Sequence, residues 1–160
     1  MAKKVLAKMG AKPLTILILG SYKPERKRRL ELVREALNKE GWLAFLAEDI
    51  DMERPLNLVL KVAGLVKEAD VIVAIVEDDV GGLIVETTLI AVSPEIGWKT
   101  GIFVKDEARL SAMLERGIFR LPPINRTTFR FSDDRDLLEK ILGFVRPFED
   151  LKWFLTKMRE

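Results

Sequence analysis

The chain has 160 residues, 48% of them hydrophobic, and its 27 basic and 25 acidic residues leave a net charge of +2. That suits one globular domain with a substantial core, and the global charge gives no footprint of a nucleic-acid binder. Cysteine and histidine are both absent, which excludes disulfides, thiol nucleophiles, imidazole bases, the usual zinc ligand sets and histidine-ligated haem.

Residues 14 to 20 (Leu-Thr-Ile-Leu-Ile-Leu-Gly) read as a buried strand ending at a glycine. Residues 25 to 40 follow as an amphipathic helix, with Leu30, Leu32, Val33, Ala36 and Leu37 at helical intervals and a stop at Asn38 to Gly41. Trp42 to Ala47 predicts a second strand, closed by the acids of residues 48 to 51. Pro55 suits a helix start, and Leu56 to Val66 a heavily buried helix. Residues 71 to 76 are all apolar and rich in β-branched side chains, as in a strand covered on both faces. A short helix is expected over 83 to 92, stopping before Pro94. A fourth strand follows at 101 to 105, a helix at 107 to 116, a loop at Pro122-Pro123 and a fifth strand at 127 to 131. A helix capped by Asp133 or Asp134 then runs through residue 145. Pro147 should interrupt it, leaving a separate helix over 148 to 159 whose stripe of Phe148, Leu151, Phe154, Leu155 and Met158 packs on the domain or joins two copies as a homodimer.

Five β-α repeats predict a single α/β domain, residues 1 to 160 with a core from 14 to 145. The expected architecture is a flavodoxin-like three-layer sandwich with a five-stranded parallel sheet in the order 2-1-3-4-5 and a C-terminal helical extension. Ligands of such sheets bind beyond the carboxyl ends of the strands, at the switch point between strands one and three. Gly20, Ser21 and Tyr22 would form one lip of that crevice, and Asp78, Asp79, Gly81 and Gly82 the other. Glycines at 81 and 82 let backbone approach a small molecule closely. Glu86 follows one helical turn later, on a face with Leu83 and Ile90, where desolvation would raise its pKa and suit it to work as nucleophile or general acid/base at a sugar carbon. The alternative is a solvated glutamate or one paired with Lys99 or Lys105.

Lys23, Arg26, Lys27, Arg28 and Arg29 gather where the first helix begins. The helix dipole disfavours cations there unless an anion compensates. A phosphate held by Lys23 and Arg26, with Ser21 as a further donor, would do so; so would acidic neighbours such as Glu25, Glu31 and Glu35. Tyr22, the only tyrosine, could stack on a ring or pack on the helix. No phosphate-loop or dinucleotide glycine fingerprint is present. The acids Glu48, Asp49, Asp51 and Glu53 lack calcium-loop spacing, and a solvated loop is expected there rather than a metal site. No cofactor is expected. No apolar run has the ~20 residues of a membrane helix, so a cytoplasmic protein is expected. The absence of Gln beside abundant Lys, Arg and Glu suggests growth at high temperature.

The run Glu68-Ala-Asp-Val-Ile-Val-Ala-Ile-Val followed by Gly81-Gly82-Leu83-Ile84-Val85-Glu86-Thr87-Thr88-Leu89-Ile90-Ala91 resembles the nucleoside 2-deoxyribosyltransferases and their Toll/interleukin-receptor-like relatives. The resemblance implies the same five-strand fold, with Glu86 matching the catalytic glutamate that attacks or stabilises the anomeric carbon. Ile18-Leu19-Gly20-Ser21-Tyr22, with Glu25-Arg26 opening the helix, is similar to the substrate-binding loop of that group. Thr88 stands where the family has a small residue, Ala91 falls one position late, and Asn125 does not match the family's C-terminal asparagine. What the resemblance implies is a nucleoside or nucleotide pocket with chemistry at the N-glycosidic bond of a nucleotide or NAD, by hydrolysis or transfer. A non-catalytic nucleotide-sensing or interaction module of the same fold is the alternative.

Overall fold

The computed structural model describes residues 12–50, 58–78 and 94–159. Five strands, β1 (Thr15–Leu19), β2 (Leu43–Leu46), β3 (Val71–Val76), β4 (Thr100–Lys105) and β5 (Thr128–Phe131), form one sheet in the order β2-β1-β3-β4-β5. Every pairing is parallel, with Leu17 opposite Phe45 and Ile72, and Ala74 opposite Ile102. This is the expected α/β fold.

The side-chain alternation of the strands divides the core in two. Ile16, Ile18, Val71, Val73, Ile75, Phe103 and Phe131 face helix α1 (Pro24–Lys39) and helix α5 (Asp134–Met158). Leu17, Leu19, Ile72, Ala74, Val76, Ile102 and Val104 point the other way, onto Val66 of α2 (Leu58–Glu68), Ile96 of α3 (Pro94–Trp98) and Leu114 of α4 (Ala112–Arg116). All six residues of β3 are buried, as the central strand between two covered faces requires. The turn after α1 ends at Gly41, whose φ of 89° is in the left-handed region that glycine adopts freely. Asn38 ties that turn to β2, its Oδ1 accepting from the Ala44 N–H at 2.8 Å.

Two expectations are corrected. The helix foreseen over 107 to 116 is only Ala112–Arg116, started by Ser111, whose hydroxyl accepts from the Leu114 N–H. Short 3₁₀ turns at Ile118–Arg120 and Ile124–Arg126 fill the connection to β5, and α3 begins at Pro94. Pro147 does not break the C-terminal helix: α5 is continuous from Asp134 to Met158. The carbonyl that Pro147 leaves without its usual donor belongs to Gly143. Both residues are exposed and a Cβ on Gly143 would meet nothing, so water can take the bond and the proline ring has room. The helix of residues 83 to 92 lies outside the described residues. Among the described residues, no helix is long and apolar enough to cross a membrane.

Candidate functional site

The carboxyl end of the sheet is set by how closely α1 crosses β1 and β3. A Cβ on Gly20 would stand 2.6 Å from Leu30 Cδ2 and 3.3 Å from the Ile75 carbonyl oxygen, so glycine here serves the packing of α1 on the sheet. Ser21 is buried, and its hydroxyl accepts from the Lys23 N–H at 3.3 Å, fixing the turn into the helix. Lys23 occupies the N-cap with no side-chain cap, and Pro24 follows, a residue that needs no partner for a missing N–H.

Each of the five cations at this helix start meets a carboxylate from another element. Lys23 Nζ lies 3.4 Å from Asp78 Oδ2, and Arg26 pairs with the same oxygen. Lys27 reaches Glu48 at 3.0 Å. Arg28 is 4.0 Å from Asp134, and Arg29 donates from Nε to Asp134 Oδ1 at 2.7 Å while its other end pairs with Glu77. The unfavourable end of the dipole is thus compensated by carboxylates just after β2 and β3 and at the start of α5, and Glu31 adds to this at Lys27.

These pairs form two layers. The inner one is Glu77, its side chain 8% exposed, with Arg29 at 14%. The Arg29 guanidinium also sits 5.7 Å over the ring of Phe131, and Lys105 Nζ stands 3.9 Å from Glu77. The outer layer is Asp78 with Arg26 and Lys23, the lysine side chain 59% exposed. Beside it opens a charged cleft of about 410 Å³, lined by Arg26, Arg28, Arg29 and Lys105 and by Glu25, Glu77 and Glu107. Four cations among three carboxylates suit an anion that also carries hydroxyl groups.

The structure therefore brings together Lys23, Arg26 and Asp78, over Gly20 and Ser21. Tyr22 turns toward the end of β2: burial pushes its phenol above the ordinary value, and hydrogen bonding to the backbone of Glu48 and Ala47 pulls the other way. Asp79, Gly81, Gly82 and Glu86 lie outside the described residues. Of the two lysines offered as partners of Glu86, Lys99 donates to the carbonyls of Lys67 and Ala69 at the amino end of the sheet, and Lys105 faces Glu77 and Glu107. Glu77, Arg29, Lys105 and Asp134 were not singled out as site residues by sequence reasoning, although the strand order places the ends of β3, β4 and β5 side by side.

After β2, Glu48 and Asp49 are held in ion pairs, while Asp51 and Glu53 lie outside the described residues. Asp49 accepts from Arg34 at 2.7 Å and from the Leu46 N–H at 2.8 Å. Burial alone would raise its carboxyl, but those two donors hold it below the usual carboxylate range. Among the described residues no group of three acidic side chains could hold a metal ion.

The sequence matches no protein-family model and no curated protein.

Proposed function

We propose that the chain binds a nucleoside or nucleotide at the carboxyl end of the sheet between β1 and β3 and acts on its N-glycosidic bond, with Glu86 as the reactive carboxylate. The observation that carries the binding half is the convergence of Lys23 and Arg26 on Asp78 Oδ2 at the switch point of a 2-1-3-4-5 sheet. A carboxylate flanked by cations suits a ligand with a diol beside a phosphate: Asp78 accepts from ribose hydroxyls, while Lys23, Arg26 and Arg28 exchange their present partners for phosphate oxygens. Support for the chemical half comes from sequence, in the apolar setting of Glu86 and the resemblance to nucleoside 2-deoxyribosyltransferases. In hydrolysis the C1′–N bond breaks, water supplies the new C1′–O bond, and the proton that water gives up goes to a purine or pyrimidine base, or to solvent when the base is nicotinamide, which leaves as a neutral molecule.

The test is incubation of the purified chain, at moderate and high temperature, with nucleosides, nucleotides and NAD, read by liquid chromatography for free base. Release of base that disappears in Glu86→Gln, with binding retained, is the expected result. Absence of both base release and any thermal shift overturns the reading. Charge reversal at Lys23 and Arg26 should weaken nucleotides far more than nucleosides, and equal weakening counts against phosphate at this end of α1. A second reading, a protein-interaction module, is favoured by one observation: Leu151, Phe154, Leu155 and Met158 of α5 are each about half exposed or more.

A further inference from the structure

The charged cleft beside the start of α1 holds two kinds of cation. Arg26 is paired directly with Asp78, and Arg29 with Glu77 and Asp134. Arg28 and Lys105 are held loosely. Arg28 comes no closer than 4.0 Å to Asp134, and Lys105, the last residue of β4, stands 3.9 Å from Glu77 and 3.7 Å from Glu107. Those separations exceed hydrogen-bond reach, and among the described residues neither side chain has another acceptor. Both line the same space of about 410 Å³.

The carboxylates of the cleft leave room for an added anion. Glu77 is nearly buried and already neutralised by Arg29. The Glu107 side chain is 77% exposed and Glu25 is exposed as well, so both are free to turn into water. Arg26 joins this space to the seat between β1 and β3, since it lines the one and pairs with Asp78 in the other. The second seat therefore adjoins the first and draws one of its cations from a different strand.

We propose that the cleft takes the terminal phosphate of a nucleoside 5′-diphosphate between Arg28 and Lys105, an inference that rests on nucleotide binding at Lys23 and Arg26. A terminal phosphate carries about two negative charges at neutral pH, which matches two cations that lack a hydrogen-bonded partner. A phosphate esterified on both sides carries a single charge and would leave one of them uncompensated.

Calorimetric titration of the full chain tests this, without divalent cations, using a nucleoside, its 5′-monophosphate and its 5′-diphosphate in the adenine, guanine and uracil series. In a series that binds, the diphosphate should bind about tenfold tighter than the monophosphate, the size of one added charge-assisted contact. Lys105→Met should abolish that gain and leave the monophosphate unchanged, and Lys105→Arg should keep it. Glu107→Gln, which removes a like charge from the cleft, should tighten the diphosphate alone by about twofold. Equal affinity for the two phosphates, or a Lys105→Met loss shared by the monophosphate, overturns the second seat while nucleotide binding stands. A Lys105→Met loss equally large for NAD, whose phosphates are all esterified, overturns the terminal-phosphate assignment. No binding by any member overturns both the second seat and the nucleotide site. Should Lys105→Met fail to fold, the diphosphate preference of the parent chain and its response to Glu107→Gln decide the matter.

Discussion

At the amino end of the sheet one carboxylate oxygen, Asp70 Oδ2, accepts three hydrogen bonds, from the Thr15 N–H and hydroxyl at 2.9 Å each and from Lys152 at 2.6 Å. The Asp70 N–H returns a bond to the Thr15 hydroxyl at 3.0 Å. At the carboxyl end five cations of α1 share four carboxylates drawn from β2's turn, the end of β3 and α5. At the amino end the Thr15 N–H and hydroxyl hold the carboxylate from a strand position, so a ligand could take Asp70 Oδ2 only by breaking those bonds. The carboxyl-end pairs have long side chains and partly exposed heads, so an incoming anion can take over a cation at little net cost. The two charged clusters thus differ in kind, a fastener at one end and a surface able to exchange partners at the other.

The division is sharpest if the inner carboxyl-end layer behaves like the fastener. Arg29→Ala should destabilise by about 3 kcal/mol, because among the described residues it leaves the nearly buried Glu77 carboxylate with Lys105 alone, at 3.9 Å. Denaturant unfolding measures this, and a loss below about 1 kcal/mol would place Glu77 in the exchangeable layer. Asp70→Ala should cost about 2 kcal/mol, since it strands the Thr15 donors and Lys152 together.

Asp70 also gives the comparison a pH signature. Burial would raise its carboxyl, but Lys152 and Thr15 outweigh that and hold it below the usual value. A group whose folded pKa is depressed contributes in full above its unfolded pKa, near 3.9 for an aspartate, and loses that contribution as pH falls through the folded value. Stability should therefore drop on acidification below about pH 4, and Asp70→Asn should flatten part of that drop. Asp49 acts with the same sign, so the variant will not flatten it completely; an acid limb unchanged in Asp70→Asn would show the amino-end cluster to be no fastener.

Gly20→Ala comes next, at about 1 kcal/mol. The added Cβ meets Leu30, a residue 1% exposed that has little room to turn aside. Thermal unfolding reads the cost, and an unchanged midpoint would mean that α1 can lift from the sheet.

Much of this was legible in the chain. The six apolar residues of β3, the helical spacing of Leu30, Val33 and Leu37 and the repeated β-α order suffice for the sheet order and for both faces of the core, because burial on two sides leaves a pattern in neighbouring residues. The crevice was legible for the same reason, since topology alone puts the loop after β1 beside the end of β3. Partner choice within it was not. Arg29 and Asp134 are 105 residues apart, and Arg29 and Glu77 are 48 apart, and no local periodicity encodes a pairing at that range. Pro147 misled because the rule that proline ends a helix assumes a buried or crowded carbonyl one turn earlier, whereas Gly143 leaves that carbonyl open to water.

The finest separation lies between two lysines four residues apart on α1. Lys23 and Lys27 both have exposed heads, and each faces one carboxylate, Asp78 at 3.4 Å and Glu48 at 3.0 Å. Glu48 lifts the pKa of Lys27 by direct hydrogen bonding, yet an exposed pair of this kind is worth little, so Lys23→Ala and Lys27→Ala should each leave stability nearly unchanged. Their ligand effects should part. Lys23 stands over the end of β3 and Lys27 over the end of β2, so only the former loss should weaken a nucleotide, several-fold more than the matching nucleoside and less so in high salt. Calorimetric titration of both variants with a nucleoside and its monophosphate makes the comparison. Equal losses from the two lysines would mean that the helix start attracts phosphate as a diffuse positive field, with no seat between β1 and β3.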